Sequence, residues 1–156
     1  MLLGAPLRGG QTSAPSTTVT SPRPTLATFV DTSALFALLD RDDAHHQRAA
    51  RAFGELRGSP LVTHSYVVVE SVALTQSRLG AAALRRLCHD LLGVIEVEWV
   101  GSDLHKAALT VLLASDSLSV SLVDWVSFAF MRERGIAEAL AFDQHFARQG
   151  FTAPRP

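Results

Sequence analysis

The sequence has a single cysteine, Cys88, so no disulfide can form within the chain. A lone thiol with no motif around it predicts a small buried side chain in a reducing compartment, which for this chain means the cytoplasm. No uninterrupted apolar run reaches the length of a membrane span, and the first residues lack the apolar core of a secretory signal. These absences exclude a disulfide-stapled secreted domain and an integral membrane protein.

Excess positive charge is also missing, because 14 Lys and Arg residues stand against 15 Asp and Glu residues, with a net charge of −1. This excludes a basic protein that coats nucleic acid by charge alone. The sequence contains no Walker A loop, GxGxxG loop, HExxH motif, Cys/His zinc spacing or nucleophile elbow. Apolar residues, by contrast, are abundant and make up 47% of the 156 residues, which predicts one domain with a well-filled core.

The first 24 residues differ in composition from the rest of the chain. They are rich in Ser, Thr, Pro and Gly, and Arg8 and Arg23 are their only charges. Such a segment cannot bury enough apolar surface to fold, so we predict a disordered extension over 1–24 and a folded domain over 25–153. A start codon placed too far upstream is the alternative explanation.

Beyond residue 24, short apolar runs alternate with segments of helical period. The pattern predicts strands at 28–30, 61–63, 94–97 and 139–142, and helices directly after Asp31 and at 44–57, 65–78, 81–92, 103–114 and 121–134. Ser102 is the expected N-cap of helix 103–114, and Gly135 is the expected C-terminal glycine of helix 121–134. Alternating strands and helices predict an α/β fold with a parallel sheet.

Two acids, Asp31 and Asp143, each follow a predicted strand. For either one alone, capping of the next helix is a sufficient explanation. The carboxyl ends of parallel strands, however, meet at one edge of a sheet, and ligands bind there in open α/β sheets. We therefore expect Asp31 and Asp143 to lie near one another.

Two further acids occupy unusual positions on predicted helices. Glu70 projects from the apolar face of helix 65–78, where a carboxylate is costly unless it is paired with an arginine or bound to a cation. Asp124 completes the capping-box sequence that begins at Ser121, and this explains it as well as a site role does. Four carboxylates at one edge would repel each other unless a hard cation such as Mg²⁺ or Mn²⁺ bound them.

These motifs, in this order, resemble the PIN domain, and most of all the VapC-type toxins of bacterial toxin–antitoxin pairs. The resemblance rests on segments 29–35, 121–124 and 141–146 together with Glu70, and it spans about residues 27–152. It implies a three-layer α/β/α sandwich with a central parallel sheet, and endonucleolytic cleavage of RNA with Mg²⁺ or Mn²⁺. It also implies restraint by a small antitoxin and pairing as a homodimer.

Mapped by motif, the resemblance makes Asp31, Glu70, Asp124 and Asp143 the catalytic, metal-binding set, with Thr32, Ser33 and Ser121 as supporting hydroxyls. Members of the family often carry Thr two residues before the last acid, where this chain has Ala141. That departure leaves the acids intact and puts one polar support in doubt.

The positions that contact RNA are less well defined by the sequence. Candidates are Arg48, Arg51, Arg85, Arg86 and His145, although a solvated helix face also explains each arginine. Two other functions stay open. One is a PIN-like RNA-processing nuclease without an antitoxin, and the other is a non-catalytic scaffold that binds RNA or protein. A phosphotransferase that uses Asp31 is disfavoured, because Ser33 stands where such an enzyme needs a second Asp.

Overall fold

A computed structural model describes residues 25–116 and 118–154, so the disorder predicted for 1–24 lies outside the described residues. Its elements, in chain order, are β1 (Thr25–Val30), α1 (Thr32–Leu39), α2 (His46–Glu55), β2 (Leu61–His64), α3 (Ser65–Arg78), α4 (Gly80–Arg86), a π-helical turn (Leu87–Leu91), β3 (Glu96–Glu98), α5 (Ser102–Ala114), α6 (Leu122–Arg134), β4 (Ile136–Leu140) and α7 (Gln144–Arg148).

The four strands form one parallel sheet in the order β3-β2-β1-β4. The predicted α/β fold with a central parallel sheet is confirmed. Strand β1 lies in the interior of the sheet, where Phe29 pairs with Val62 on one side and with Ala139 on the other. The chain runs outward from β1 through β2 to β3 and then returns to place β4 on the opposite side of β1. This reversal creates a crevice at the carboxyl end of β1, which is the usual ligand position in such sheets.

The core forms around β1. Phe29 and Val30 are fully buried, and they belong to one cluster with Leu35 of α1 and with Phe128 and Met131 of α6. The ring of Phe29 packs on Phe130 and Phe146, with centroids 5.8 and 6.1 Å away. The elements that flank the β1 crevice are thus held by a continuous apolar core, which gives their polar ends little freedom to move.

Strands β1 and β2 are longer than predicted, by three residues at the start of β1 and one at the end of β2, and two other predicted strands are shifted. Strand β4 is Ile136–Leu140 rather than 139–142, because it pairs with β1 only as far as Val30 opposite Leu140, where β1 itself ends. Strand β3 is Glu96–Glu98 rather than 94–97, since its pairing with β2 begins at Val62 opposite Glu96. Both errors arise because the length of a strand depends on its partner.

Other local predictions have mixed outcomes. Helix 65–78 is confirmed as α3, and Gly135 ends α6 in the left-handed conformation at φ 65°. The predicted Ser102 N-cap is wrong, because Gly101 occupies the cap position and Ser102 is the first helical residue. Cys88 is exposed rather than buried. Within the described ranges, no helix combines the length and the apolar character that crossing a membrane would require.

Candidate functional site

Asp31 lies at the centre of the candidate site, directly after β1. It is the N-cap of α1, and its Oδ2 accepts hydrogen bonds from the Ser33 backbone N–H at 3.0 Å and from the Ser33 hydroxyl at 2.6 Å. Its own N–H donates to the Leu140 carbonyl at the end of β4, at 3.1 Å. The capping role and the strand-end position that the sequence predicted therefore coexist in one residue.

The Asp31 carboxyl is unusual because it is only 4% exposed. Burial raises its pKa from the ordinary 3.8 to about 6, against the lowering effect of the two Ser33 hydrogen bonds; the charges of Asp124 and Glu70 raise it further. Asp124 and Glu70 are therefore both close enough for their charges to act on Asp31. This repulsion is what the sequence predicted for acids gathered at one sheet edge.

Glu70 reaches the site from the middle of α3. Its Oε2 accepts a hydrogen bond from the Thr32 hydroxyl of α1 at 2.6 Å, and the side chain is half-buried. Among the described residues no arginine, lysine or histidine forms an ion pair with Glu70, so the alternative of a buried pair with an arginine is wrong. Thr32, which follows Asp31 in the chain, thus connects Glu70 to the start of α1.

Asp124 reaches the site from the first turn of α6 in a complete capping box. The Ser121 backbone N–H and hydroxyl each lie 2.9 Å from Asp124 Oδ2, and the Asp124 N–H donates to the Ser121 hydroxyl oxygen at 3.1 Å. This arrangement ties the Asp124 carboxylate to the first turn of α6, where its charge is near enough to raise the pKa of Asp31. The helix cap and the acidic site use the same side chain.

Asp143 is placed differently from the prediction. It lies three residues beyond the end of β4, where it is the N-cap of α7 and accepts the His145 N–H on Oδ1 at 2.8 Å. His145 Nε2 lies 3.7 Å from the same oxygen. A bridge links this segment to Asp31, because Ser33 Oγ accepts the Phe142 N–H at 2.9 Å while it donates to Asp31.

The donor chemistry of this edge fits a hard divalent cation. Asp31, Glu70 and Asp124 supply carboxylate oxygens, and within the described chain none of them has a basic partner to offset its charge. The present side-chain positions are not yet a coordination shell. Across residues 25–116 and 118–154, no three Asp, Glu, His or Cys side chains stand close enough together to hold a metal ion. A cation would therefore need the half-buried acids to move toward Asp31.

The predicted supporting hydroxyls divide among the acids. Thr32 bonds Glu70, Ser33 bonds Asp31, and Ser121 bonds Asp124. Asp143 has no hydroxyl partner in the described part of the chain, and the side chain of Ala141, two residues before it, can supply none. The departure noted in the sequence therefore coincides with the one predicted acid whose charge is not among those acting on Asp31.

The predicted RNA-contact residues separate into two groups. The Arg48 guanidinium lies 5.5 Å from the centroid of the ring of Phe142, the residue that precedes Asp143 in the chain. His145 lies against Asp143 itself. Arg51, Arg85 and Arg86 are exposed on α2 and α4 and have no hydrogen bond or ion pair with the four acids. The structure brings only the first two to the acidic edge.

One interaction near the site was missed from the sequence, although Thr63 or His64 was expected near the cap of helix 65–78. His64, the N-cap of α3, is fully buried, and its Nδ1 accepts the Val67 N–H at 3.3 Å. The proton is therefore on Nε2, which donates to Ser127 Oγ of α6 at 3.0 Å, and that hydroxyl donates to the Val123 carbonyl at 2.8 Å. This chain of hydrogen bonds couples the helix of Glu70 to the helix of Asp124. A capping residue before helix 65–78 was predictable, but its partner 63 positions away was not.

Replacing Ser127 with Ala is expected to lower the free energy of unfolding by about 1–3 kcal/mol, because the buried Nε2–H of His64 loses its acceptor. The double change His64→Leu with Ser127→Ala should cost less than the sum of the two single changes, since it leaves no polar group unpaired. Urea titrations followed by circular dichroism measure both.

Ser77→Ala is the matched control, because Ser77 is an exposed α3 serine whose hydroxyl bonds only the Leu74 carbonyl. Its effect should stay within about 0.5 kcal/mol. A Ser127→Ala effect as small as that of the control would show that the link between α3 and α6 carries no stability.

Comparison with known proteins agrees with this geometry. The family model for the PIN domain matches residues 28–152. Two curated relatives, each named 23S rRNA-specific endonuclease VapC20, come from Mycobacterium tuberculosis strains CDC 1551 / Oshkosh and ATCC 25618 / H37Rv. Each is 38% identical over 129 residues, which cover 82% of this chain and 98% of the relative. The crystal structure of M. tuberculosis VapC20, a sarcin–ricin loop cleaving toxin, superposes with a TM-score of 0.75 at 36% identity, over 83% of this chain and 99% of that one.

Proposed function

Because this chain belongs to the PIN-domain family, we propose that it is a divalent-metal-dependent endoribonuclease of the VapC type, the toxin of a type II toxin–antitoxin pair. The observation that carries the proposal is the buried Asp31 carboxyl, which has Glu70 and Asp124 as charged neighbours and no cationic partner within the described chain. A site of this kind is costly for the fold, and a bound cation would offset that cost.

The residues that would hold the cation are Asp31, Glu70, Asp124 and Asp143. A divalent ion bound there would lower the pKa of a water ligand and offset negative charge on the phosphate. The chain prepares the acids for this task before any ion arrives. Ser33, Thr32 and Ser121 each hold one carboxylate through a hydroxyl bond, which restricts these side chains before the acids move onto an ion.

We propose bacterial 23S rRNA as the substrate, with the sarcin–ricin loop as the cleaved element. This rests on the names of the relatives and on the extent of the match, which covers 98% of the curated sequences and 99% of the crystal structure. Such a substrate places the protein in the cytoplasm.

We propose a small cognate antitoxin as the restraining partner and a homodimer as the assembly. Exposed apolar side chains support the presence of an interface, with Val69 67%, Trp99 85% and Leu113 78% exposed in the single chain. A cavity of about 270 Å³ beside Glu70, lined also by Tyr66 and Val123, offers room for a partner side chain next to the acids.

The test is cleavage of intact 70S ribosomes and of a synthetic sarcin–ricin loop RNA by purified, antitoxin-free protein. Reactions contain Mg²⁺, Mn²⁺ or EDTA, and fragment ends are mapped by primer extension. The proposal expects one cut in the loop with either metal and none with EDTA. Cleavage that persists in EDTA would contradict the metal site, and cleavage confined to other RNAs would contradict the substrate.

A further inference from the structure

Two side chains pack on the ring of Phe142, next to Asp143 in the chain, and none of these three residues is one of the acids or their hydroxyl partners. The His45 ring lies flat on the Phe142 ring, with centroids 4.7 Å apart and an interplanar angle of 2°. The Arg48 guanidinium lies over the same Phe142 ring at 5.5 Å. We call His45, Arg48 and Phe142 the Phe142 ledge.

The ledge is fixed to the acidic site by the backbone. Phe142 precedes Asp143, and its N–H donates to Ser33 Oγ at 2.9 Å, the same hydroxyl that donates to Asp31. The Phe142 ring also packs against the small buried cluster of Ala37, Leu38 and Ala49. The Phe142 backbone is therefore tied to Ser33, and its ring is supported by the small buried cluster.

Arg48 is held in place without using its hydrogen-bonding capacity. Its side chain is exposed on α2, and among the described residues it has neither an ion pair nor a hydrogen bond to a protein acceptor. Stacking on an aromatic ring orients a guanidinium while its five N–H donors stay available. A bidentate, planar donor set of this kind is well matched to a phosphate group.

The electrostatics of the site supply the reason for a cation at this position. The acids at this edge of the sheet repel a polyanionic strand, so an approaching RNA needs fixed positive charge close to the cut. Of the four arginines predicted from the sequence, Arg48 is the one that the structure places against a neighbour of the acids.

We propose that the Phe142 ledge is a binding surface for the RNA strand beside the scissile phosphate. Arg48 donates to a backbone phosphate, and the Phe142 ring, on which His45 also stacks, holds the Arg48 guanidinium at the rim of the acidic pocket. This inference rests on the proposed RNA endonuclease function and assigns the surface on which that substrate lies.

The test compares Arg48→Ala with Arg57→Ala in steady-state cleavage of the sarcin–ricin loop RNA at saturating Mg²⁺. Arg57 is a matched control because it is exposed, carries the same charge and lies between α2 and the amino-terminal end of β2, away from the carboxyl edge of the sheet. Arg48→Ala is expected to raise KM about tenfold with kcat within about twofold, the effect of losing one charge-assisted contact. Arg57→Ala should change neither parameter by more than about twofold.

Two further measurements separate a phosphate contact from loss of structure. Phe142→Leu keeps apolar packing but removes the ring beneath the guanidinium, so it should raise KM as Arg48→Ala does, and the double variant should be no worse than Arg48→Ala. The slope of log(kcat/KM) against log(salt) should become shallower by about 0.7 in Arg48→Ala, as expected when one contact to a single strand is lost.

Equal KM values for Arg48→Ala and Arg57→Ala, with active wild-type protein, would overturn the ledge and leave the nuclease function standing. Absence of cleavage by the wild-type protein with every metal would contradict the nuclease function itself, so the two failures are distinguishable.

Discussion

Asp31→Asn is expected to reduce cleavage of RNA on the order of 10³-fold or more, while the protein keeps its fold. The substitution removes the most buried negative charge of the site, and single losses from a catalytic set have effects of at least this size. Asn can still accept the two Ser33 hydrogen bonds through its amide oxygen, so the cap of α1 and the start of the helix are preserved.

The measurement is single-turnover cleavage of the sarcin–ricin loop RNA, with circular dichroism to verify folding. Asp90→Asn is the matched control, because Asp90 is an exposed acid in the π-helical turn, remote from the carboxyl edge of the sheet. It should cleave at the wild-type rate. Activity within tenfold of wild type in Asp31→Asn would exclude Asp31 from the metal-binding set.

The pH dependence of stability is expected to differ between wild type and Asp31→Asn when no metal is present. The pKa of Asp31 is about 6 in the folded chain and near 3.8 when unfolded, so the folded state binds this proton more tightly. The contribution of Asp31 to the free energy of unfolding is therefore fully present below pH 3.8 and is lost as the pH rises through 6. The loss amounts to roughly 3 kcal/mol, because each pKa unit corresponds to about 1.4 kcal/mol.

His64 acts in the opposite direction over nearly the same range. Burial lowers its pKa from 6.5 to about 4, so the folded state resists protonation and stability is lost as the pH falls from 6.5 toward 4. The magnitude is again roughly 3 kcal/mol. In wild-type protein the two contributions nearly cancel. In Asp31→Asn the His64 contribution stands alone, and stability should rise by about 3 kcal/mol from pH 4 to pH 7.

Urea titrations in EDTA at pH 4.5 and pH 7.5 measure this difference for both proteins. The same titrations with Mn²⁺ at pH 7.5 should stabilise the wild type and leave Asp31→Asn unchanged, because a ligand stabilises only the state that binds it. Parallel pH profiles for the two proteins in EDTA would show that Asp31 ionises normally in the fold.

Much of the site was predictable because its hydrogen bonds are local in the chain. The capping box of Ser121 and Asp124 spans three residues, and the Asp31 cap spans two. Helix α3 and the glycine that ends α6 follow from local periodicity and from the conformational freedom of Gly135 at positive φ. The motifs around the four acids, taken together and in order, were likewise enough to identify the family.

The tertiary structure decided what depends on register and on distant partners. Strand β4 ends at Leu140 because β1 ends at Val30, and this moves Asp143 away from the strand that it was expected to follow. Ser33 joins Asp31 to Phe142 across 109 positions, and His64 joins α3 to Ser127 across 63. A residue's partner within one helical turn is set by the chain itself, whereas a partner on another element is set by how the sheet and its helices pack.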